Sequence, residues 1–459
     1  MHDLSMLELA TAIRARKVSP MDVTEHMLAR IETHDPDIGA YVVVTAERAR
    51  AQAKTAEEEI SGGHWRGNLH GVPIVYKDIF YSYFAPTMAG SSLYREFRPS
   101  YSATVLTRLE NAGAVTLGKV KTTEHAFTDY HPDVTPPRNP WNPDCWSGAS
   151  SSGSATATAA GLAYAALGSD TGGSITFPSA VNGLTGLKPT WGRVSRFGVF
   201  PLAPTFDHIG PLARSALDCA ALLSVMAGAD PNDPTALFDP VDDYVSIAQG
   251  PISGLRIGMP RYYATKGVDA QVIAALDAAA QIFEEQGCVI HDITFPDWEP
   301  AIAAWNTMSA AEAAVAHEHT FPSRKAEYGA LFAERLAMGR AISGVDVAKA
   351  TQARLDFSGR VRQLFEEIDL FLIPAMPITA PTISEWDSAT TFSVMDLIRF
   401  TAPFDLTGSP SVTFPAGFDR QGMPVALQLV GRHLGEGVLL RAVAAFQRVT
   451  AFNRMHPTL

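Results

Sequence analysis

The chain has 459 residues and a formal net charge of −12, with 46% apolar and 18% charged residues. That composition describes a globular chain with a large core. It speaks against a nucleic-acid partner, because phosphate backbones are bound by basic faces. Three scattered cysteines, Cys145, Cys219 and Cys288, are too few for a disulfide framework or a zinc site and read as buried thiols.

The first sixty residues read as helical. Met6, Leu9 and Ile13, then Val23, Met27 and Ile31, recur at helical spacing, and Ser19-Pro20 breaks the run and starts a second helix. An alanine- and glutamate-rich stretch, 45–60, suits a third. The β-branched run 72–75 predicts a strand; 104–112 predicts a helix and 114–117 a buried strand. A helix is expected over 152–161 and a strand over 163–167. A polar connection follows at 230–250, and then come strand 255–258, helix 269–286, helix 355–368 and strand 370–373. The tail reads as strands 411–414 and 425–430 and a closing helix, 438–450. This alternation predicts an α/β layer fold in one continuous domain, 1–459, opened by the helical segment 1–60. The N-terminus carries charges throughout. The longest mild apolar run, 155–168, is too short to span a bilayer, so a cytoplasmic location without a membrane partner is the default expectation.

Chemistry concentrates in three places. Lys77 follows an apolar run, where burial would ease loss of its proton. Ser150 lies in Gly148-Ala149-Ser150-Ser151-Ser152-Gly153-Ser154, and Ser174 ends Asp170-Thr171-Gly172-Gly173-Ser174. A serine hydroxyl needs a base to become a nucleophile, and a neutral lysine serves in Ser–Lys variants of the triad. Two glycines before Ser174 allow a turn whose N–H groups cradle an oxyanion.

With these residues in view, the sequence resembles the amidase signature family. The serines stand 24 positions apart, as in that family's pattern, and the second motif continues Ser174-Ile175-Thr176-Phe177-Pro178. Gly186-Leu187-Lys188-Pro189-Thr190, Asp207-His208-Ile209-Gly210-Pro211-Leu212 and Leu427-Gln428-Leu429-Val430-Gly431 resemble family segments in the same order, so nearly the full chain is covered. The resemblance implies a single large domain with a mixed central β-sheet and helices on both faces. It implies a triad of Lys77 as base, Ser150 as relay held by a cis peptide, and Ser174 as nucleophile. Backbone N–H groups of Thr171, Gly172, Gly173 and Ser174 would form the oxyanion hole; Ser151 would steady the lysine and Asp170 would brace the loop. The activity implied is hydrolysis of small-molecule carboxylic amides, extending to aryl carbamates or esters, with no cofactor and no metal. Relatives are often homodimers.

For the substrate pocket, Tyr76, Phe80, His125, Ala126, Phe127, Tyr130, Thr176 and Arg193 are the candidates. The sequence departs from the family at Thr176, which replaces an arginine, at Lys121-Thr122, which replaces Asn-Met, and at Phe404-Asp405, which replaces Phe-Asn. These positions bear on specificity. The alternative is the glutaminase subunit of a tRNA-dependent amidotransferase; a catalytically silent binding protein is disfavoured by the intact triad. Two further patterns read as structural. Gly113 to Val120 lacks the Ser/Thr that ends a phosphate-binding loop and reads as a buried strand. His317-Glu318-His319 reads as a solvated helix face, its histidines diverging at i, i+2.

Overall fold

Two short apolar strands, Pro73–Lys77 and Val115–Val120, pair in parallel near the start of a sheet that organises the whole molecule. The computed structural model describes residues 1–388 and 394–459. In chain order the strands are β1 Tyr41–Val44, β2 Pro73–Lys77, β3 Val115–Val120, β4 Ala165–Asp170, β5 Thr185–Lys188 and β6 His208–Ala213. They continue as β7 Arg256–Met259, β8 Val289–Asp292, β9 Leu370–Pro374, β10 Ser411–Phe418 and β11 Pro424–Gly431. All eleven form one mixed sheet in the order β1-β3-β2-β4-β6-β5-β10-β11-β9-β7-β8, flanked by helices. β2 runs parallel to both β3 and β4, whereas β4 is antiparallel to β6. The central strands β2, β3, β4 and β6 are buried along their full length, as strands covered on both faces must be.

The N-terminal helices start where their caps dictate. Ser5 and Glu8 form a capping box ahead of Met6–Arg14. Ser19 caps Pro20–Ile38, with Pro20 in the first turn, and Gly39 ends that helix in the left-handed region. The strand Tyr41–Val44 follows and pairs antiparallel with β3, so the segment 1–60 is not wholly helical.

The small-residue run after Ser150 has a packing reason. Helix Ser152–Ala159 is buried at every position, which larger side chains would forbid. A Cβ on Gly153 would lie 2.5 Å from the Lys121 backbone nitrogen. The following strand, expected over 163–167, begins at Ala165 and runs on through Gly168 and Ser169 to Asp170, the first residue of the motif that ends at Ser174. The connection 230–250 contains a short helix, Tyr244–Ala248. Among the described residues no helix is long and apolar enough to cross a membrane.

Both patterns read as structural have definite places. Lys119, on β3, is wholly buried and pairs with Asp78 at 2.7 Å. Removing one member of such a pair leaves an uncompensated charge, typically at a cost of about 3–5 kcal/mol. His317 corrects the solvated-face reading. It is buried, bonds the Tyr328 hydroxyl at 3.0 Å and packs on His125, because the helix Glu299–Ala316 ends inside an aromatic cluster; His319 is exposed. All three cysteines are free and buried.

Candidate active site

Parallel pairing of β2 with β4 brings their C-terminal ends to the same edge of the sheet. Lys77 ends β2, and Ser169 and Asp170 end β4. Ser150 and Ser151 stand just before helix Ser152–Ala159, and the Ala149–Ser150 peptide is cis. Lys77 is fully buried, and its Nζ lies 2.6 Å from Ser150 Oγ, 2.9 Å from Ser169 Oγ and 3.0 Å from Ser151 Oγ. Ser151 gives its own hydroxyl proton to the Ser169 carbonyl at 3.2 Å, which leaves its oxygen free to accept from the lysine. A neutral amine has two hydrogens and one lone pair. Donating to Ser151 and Ser169 therefore leaves the lone pair for the Ser150 hydroxyl proton.

Burial pulls the Lys77 ammonium down to about 7, opposed by the charges of Asp170 and Asp207. Asp78, next in sequence, does not work against this. Its carboxylate is engaged by Lys119 and by the Met88 N–H at 3.1 Å.

The turn after β4 is held from several sides. Asp170 accepts the N–H groups of Gly173, Ile175 (2.7 Å) and Thr176 (3.1 Å), together with the Thr176 hydroxyl at 3.3 Å. Thr171 Oγ1 donates to Asp207 at 2.7 Å. Trp305 Nε1–H donates to the Thr171 carbonyl at 2.7 Å, and Thr401 Oγ1 donates to the Gly172 carbonyl at 2.6 Å. Because C=O and N–H point oppositely across a trans peptide, the Trp305 bond fixes where the Gly172 N–H is aimed. The Gly173 N–H already has Asp170 as acceptor. Thr171, Gly172 and Ser174 are thus the candidates left for the oxyanion.

Ser174, Thr171 and Gly172 line one wall of a cavity of about 150 Å³. Its other walls include Phe127, Trp146, Phe177, Trp305, Trp386 and Arg335. Trp146 and Trp386 stack with centroids 4.0 Å apart and planes 13° apart. The Arg335 guanidinium is held by Asn306 Oδ1 (2.5 Å), the Asn306 carbonyl (3.0 Å) and Ser309 Oγ (2.7 Å), and it lies 5.5 Å from the Phe127 ring. Burial lowers it, to about 10, and among the described residues no acid opposes the shift.

Of the expected pocket residues, Ala126 and Phe127 line this cavity. The other six are placed elsewhere, each for an identifiable reason. Side chains alternate along a strand, so aiming Lys77 at the serines sends Tyr76 to the opposite face, where its hydroxyl is 3.4 Å from Thr116. Phe80 is core, in a bridge to Val199. His125 is buried among Tyr94, Phe200, His317 and Phe332. The Tyr130 hydroxyl bonds Ser152, and Thr176 bonds Asp170. Arg193 staples the connection after β6 through Tyr244 Oη and the carbonyls of Asp239 and Pro240.

The sequence reading did not single out Ser169, Trp305, Arg335 or Trp386. Ser169 directly precedes the Asp170–Ser174 motif, and recognising β4 as running through it would have placed it beside Lys77. The other three carry no local signal.

Gly172 offers a direct test of the wall. A Cβ there would lie 2.4 Å from the Trp305 ring. Gly172→Ala is expected to displace the ring, loosen the turn and lower kcat about 10²–10³-fold, the usual cost of losing one oxyanion donor. Near-normal kcat in a folded G172A variant would show that the turn does not depend on this contact.

The sequence model of the family described as Amidase matches residues 22–440, and the chain belongs to that family, the amidase signature enzymes. It is 42% identical over 457 residues to the protein named "Putative amidase AmiD" of Mycobacterium tuberculosis (strain ATCC 25618 / H37Rv), covering 99% of this chain and 96% of the relative. It is 37% identical over 477 residues to a glutamyl-tRNA(Gln) amidotransferase subunit from Geobacter metallireducens, covering 98% of each. Among solved structures, one described with a vestigial protein complex and the origins of an s-triazine catabolic enzyme superposes with a TM-score of 0.92. It shares 32% identity and covers 97% of this chain and 98% of its own. The protein is an amide-hydrolysing enzyme.

Proposed function

We propose that the enzyme hydrolyses compact, aromatic carboxylic amides through an acyl-enzyme on Ser174, with Lys77 as base and Ser150 as proton relay. The observation that carries this reading is the wholly buried lysine, held near neutrality, with Ser150 Oγ at 2.6 Å. In the first half-reaction Ser174 Oγ bonds the amide carbon. Its proton passes to Ser150, and the Ser150 proton passes to Lys77 Nζ. The Ser174-to-Ser150 link is the step the reading supplies. N–H groups of Thr171, Gly172 and Ser174 hold the oxyanion. The C–N bond breaks as the relay returns its proton to the leaving amine. Water then attacks the ester carbon along the same relay, releasing the carboxylic acid and free Ser174.

The walls indicate the substrate. A cavity of about 150 Å³ lined by apolar side chains is large enough for benzene, and tryptophan and phenylalanine rings favour a planar group. Arg335, with no acid beside it among the described residues, is a ready partner for a substrate carbonyl or carboxylate. The same walls weigh against the glutaminase alternative. Free glutamine carries an ammonium as well as a carboxylate, and among the described lining residues there is no acidic side chain to meet it. Aryl carbamates and esters fit the same acyl chemistry. A homodimer remains an expectation of the family resemblance, and a cytoplasmic location the default expectation of the sequence.

Two measurements test this. A fluorophosphonate should add covalently to Ser174, and peptide mapping that finds no adduct on folded enzyme would sink the mechanism. A panel of aryl amides, aliphatic amides, carbamates and glutamine should rank aryl amides above glutamine by about a hundredfold or more in kcat/KM. Turnover of glutamine alone would favour the amidotransferase reading.

A further inference from the structure

Beneath the nucleophile turn lies a second carboxyl group that the relay does not use. Asp405, on the short helix Ala402–Thr407, is completely buried, and its carboxyl lies within hydrogen-bonding reach of Asp170. Asp170 is the group that grips the turn, through Gly173, Ile175 and Thr176. Neither oxygen of Asp405 receives a hydrogen from any described donor.

The charged and titratable neighbours come from each element packed against it. Lys188, at the end of β5, attracts Asp405, but its Nζ hydrogen bonds run to the carbonyls of Ser409 (2.5 Å) and Phe404 (3.5 Å). His208, at the start of β6, brings Nδ1 to 3.3 Å from Asp405 Oδ1, yet that nitrogen donates to the Phe206 carbonyl at 2.5 Å. Asp207 adds a further negative charge, and its carboxylate accepts from Thr171, Leu202 and Ala203. Glu436, which acts on Lys188, accepts the Thr190 N–H.

A buried carboxylate with no donors and a second carboxylate alongside is untenable, so the pair must hold a proton. Asp170 has the donors that favour an anion, and Asp405 has none. We propose that Asp405 is a positioning residue: as the neutral acid it donates a hydrogen bond to Asp170 and so fixes the turn that presents Ser174. Burial and the charge of Asp170 push the Asp405 carboxyl well above its ordinary range, in the direction this arrangement requires. An amide nitrogen at the same place would donate equally well, whereas an alkyl group would not.

The inference rests on Ser174 as nucleophile for its catalytic arm and on nothing catalytic for its stability arm. Both use D405N and D405A, with kcat/KM and thermal unfolding followed from pH 5 to pH 10. D405A, which removes a buried hydrogen bond to a charged group, should lose about tenfold or more in kcat/KM at the plateau. D405N should recover to within about threefold. D405N should also lack the alkaline fall that wild type shows as the shared proton is lost, while keeping the acid limb.

The sign of the stability arm follows from linkage. Folded Asp405 holds a proton that the unfolded chain releases above its ordinary value near ~3.9, so wild-type stability falls as pH rises towards the folded value. The Tm of D405N minus that of wild type should therefore widen with pH. The proposal is overturned if D405N is as impaired as D405A, if the alkaline limb is the same in D405N and wild type, or if the Tm difference is flat with pH. D405N carries the test if D405A does not fold. If instead S174A keeps its turnover, the nucleophile assignment fails, and the widening Tm difference still reports the shared proton.

Discussion

Replacing Ser174 with alanine should lower kcat/KM by about 10⁴–10⁶-fold, since members of a nucleophilic relay act as a unit. The fold should be left intact. Ser174 is only half-buried, and the hydrogen bond it provides to the Ser151 N–H uses its backbone carbonyl, which alanine keeps. The change in unfolding free energy should stay within about 0.5 kcal/mol. The measurement pairs steady-state kinetics on an aryl amide with thermal unfolding. Substantial turnover in the well-folded variant would remove Ser174 from the chemistry, and with it the acyl-enzyme.

The second large effect is at Lys77. Lys77→Met should reduce kcat/KM by about 10³-fold or more, because it removes the base whose Nζ lies 2.6 Å from Ser150 Oγ. Lys77→Arg should not rescue it, since a guanidinium stays charged and has no lone pair to offer. In wild type, kcat/KM should rise about tenfold per pH unit towards about 7, because only the neutral amine accepts a proton, and then hold a plateau up to the alkaline fall expected where Asp405 loses its proton. Full activity in K77R would remove lysine as base.

Stability gives an independent check. Folded Lys77 loses its proton near 7, whereas the unfolded side chain keeps it to about 10.5. Between those values the unfolded state binds more protons, so stability rises with pH. Wild type should therefore gain on K77M by about 1.4 kcal/mol per pH unit above pH 7. A flat difference would mean that the lysine is charged in the folded enzyme.

How much of the site was legible follows from where its signals lie. Lys77 was readable from the apolar run before it and Ser174 from the glycines that precede it, whereas the relay role of Ser150 and the supporting roles of Ser151 and Asp170 came from the resemblance to the amidase signature family. The strands at 72–75 and 370–373 were readable from apolar runs, and the first helices from caps and periodicity. β5, β6 and β8 were not, since four to six residues with mixed composition acquire strand character only by pairing with neighbours, whereas β1, Tyr41-Val42-Val43-Val44, carries a β-branched signal that the helical reading of 1–60 passed over. The fate of Tyr76 was within reach of the sequence, because alternation along β2 already sets it opposite Lys77.

By itself, then, the sequence determined the class of bond attacked and the candidates for the groups that attack it. Glycine turns and a lysine in an apolar run are local requirements of that chemistry, and the 24-residue spacing of the serines is the mark of the family. Only the tertiary structure decided the rest. It turned Asp78 onto Lys119 and set Asp405, which has no donor among the described residues, under the turn. It built the pocket from Trp305, Arg335 and Trp386, more than a hundred positions beyond Ser174. Which side chains meet across such separations depends on how helices settle on the sheet, and no local pattern of residues encodes that.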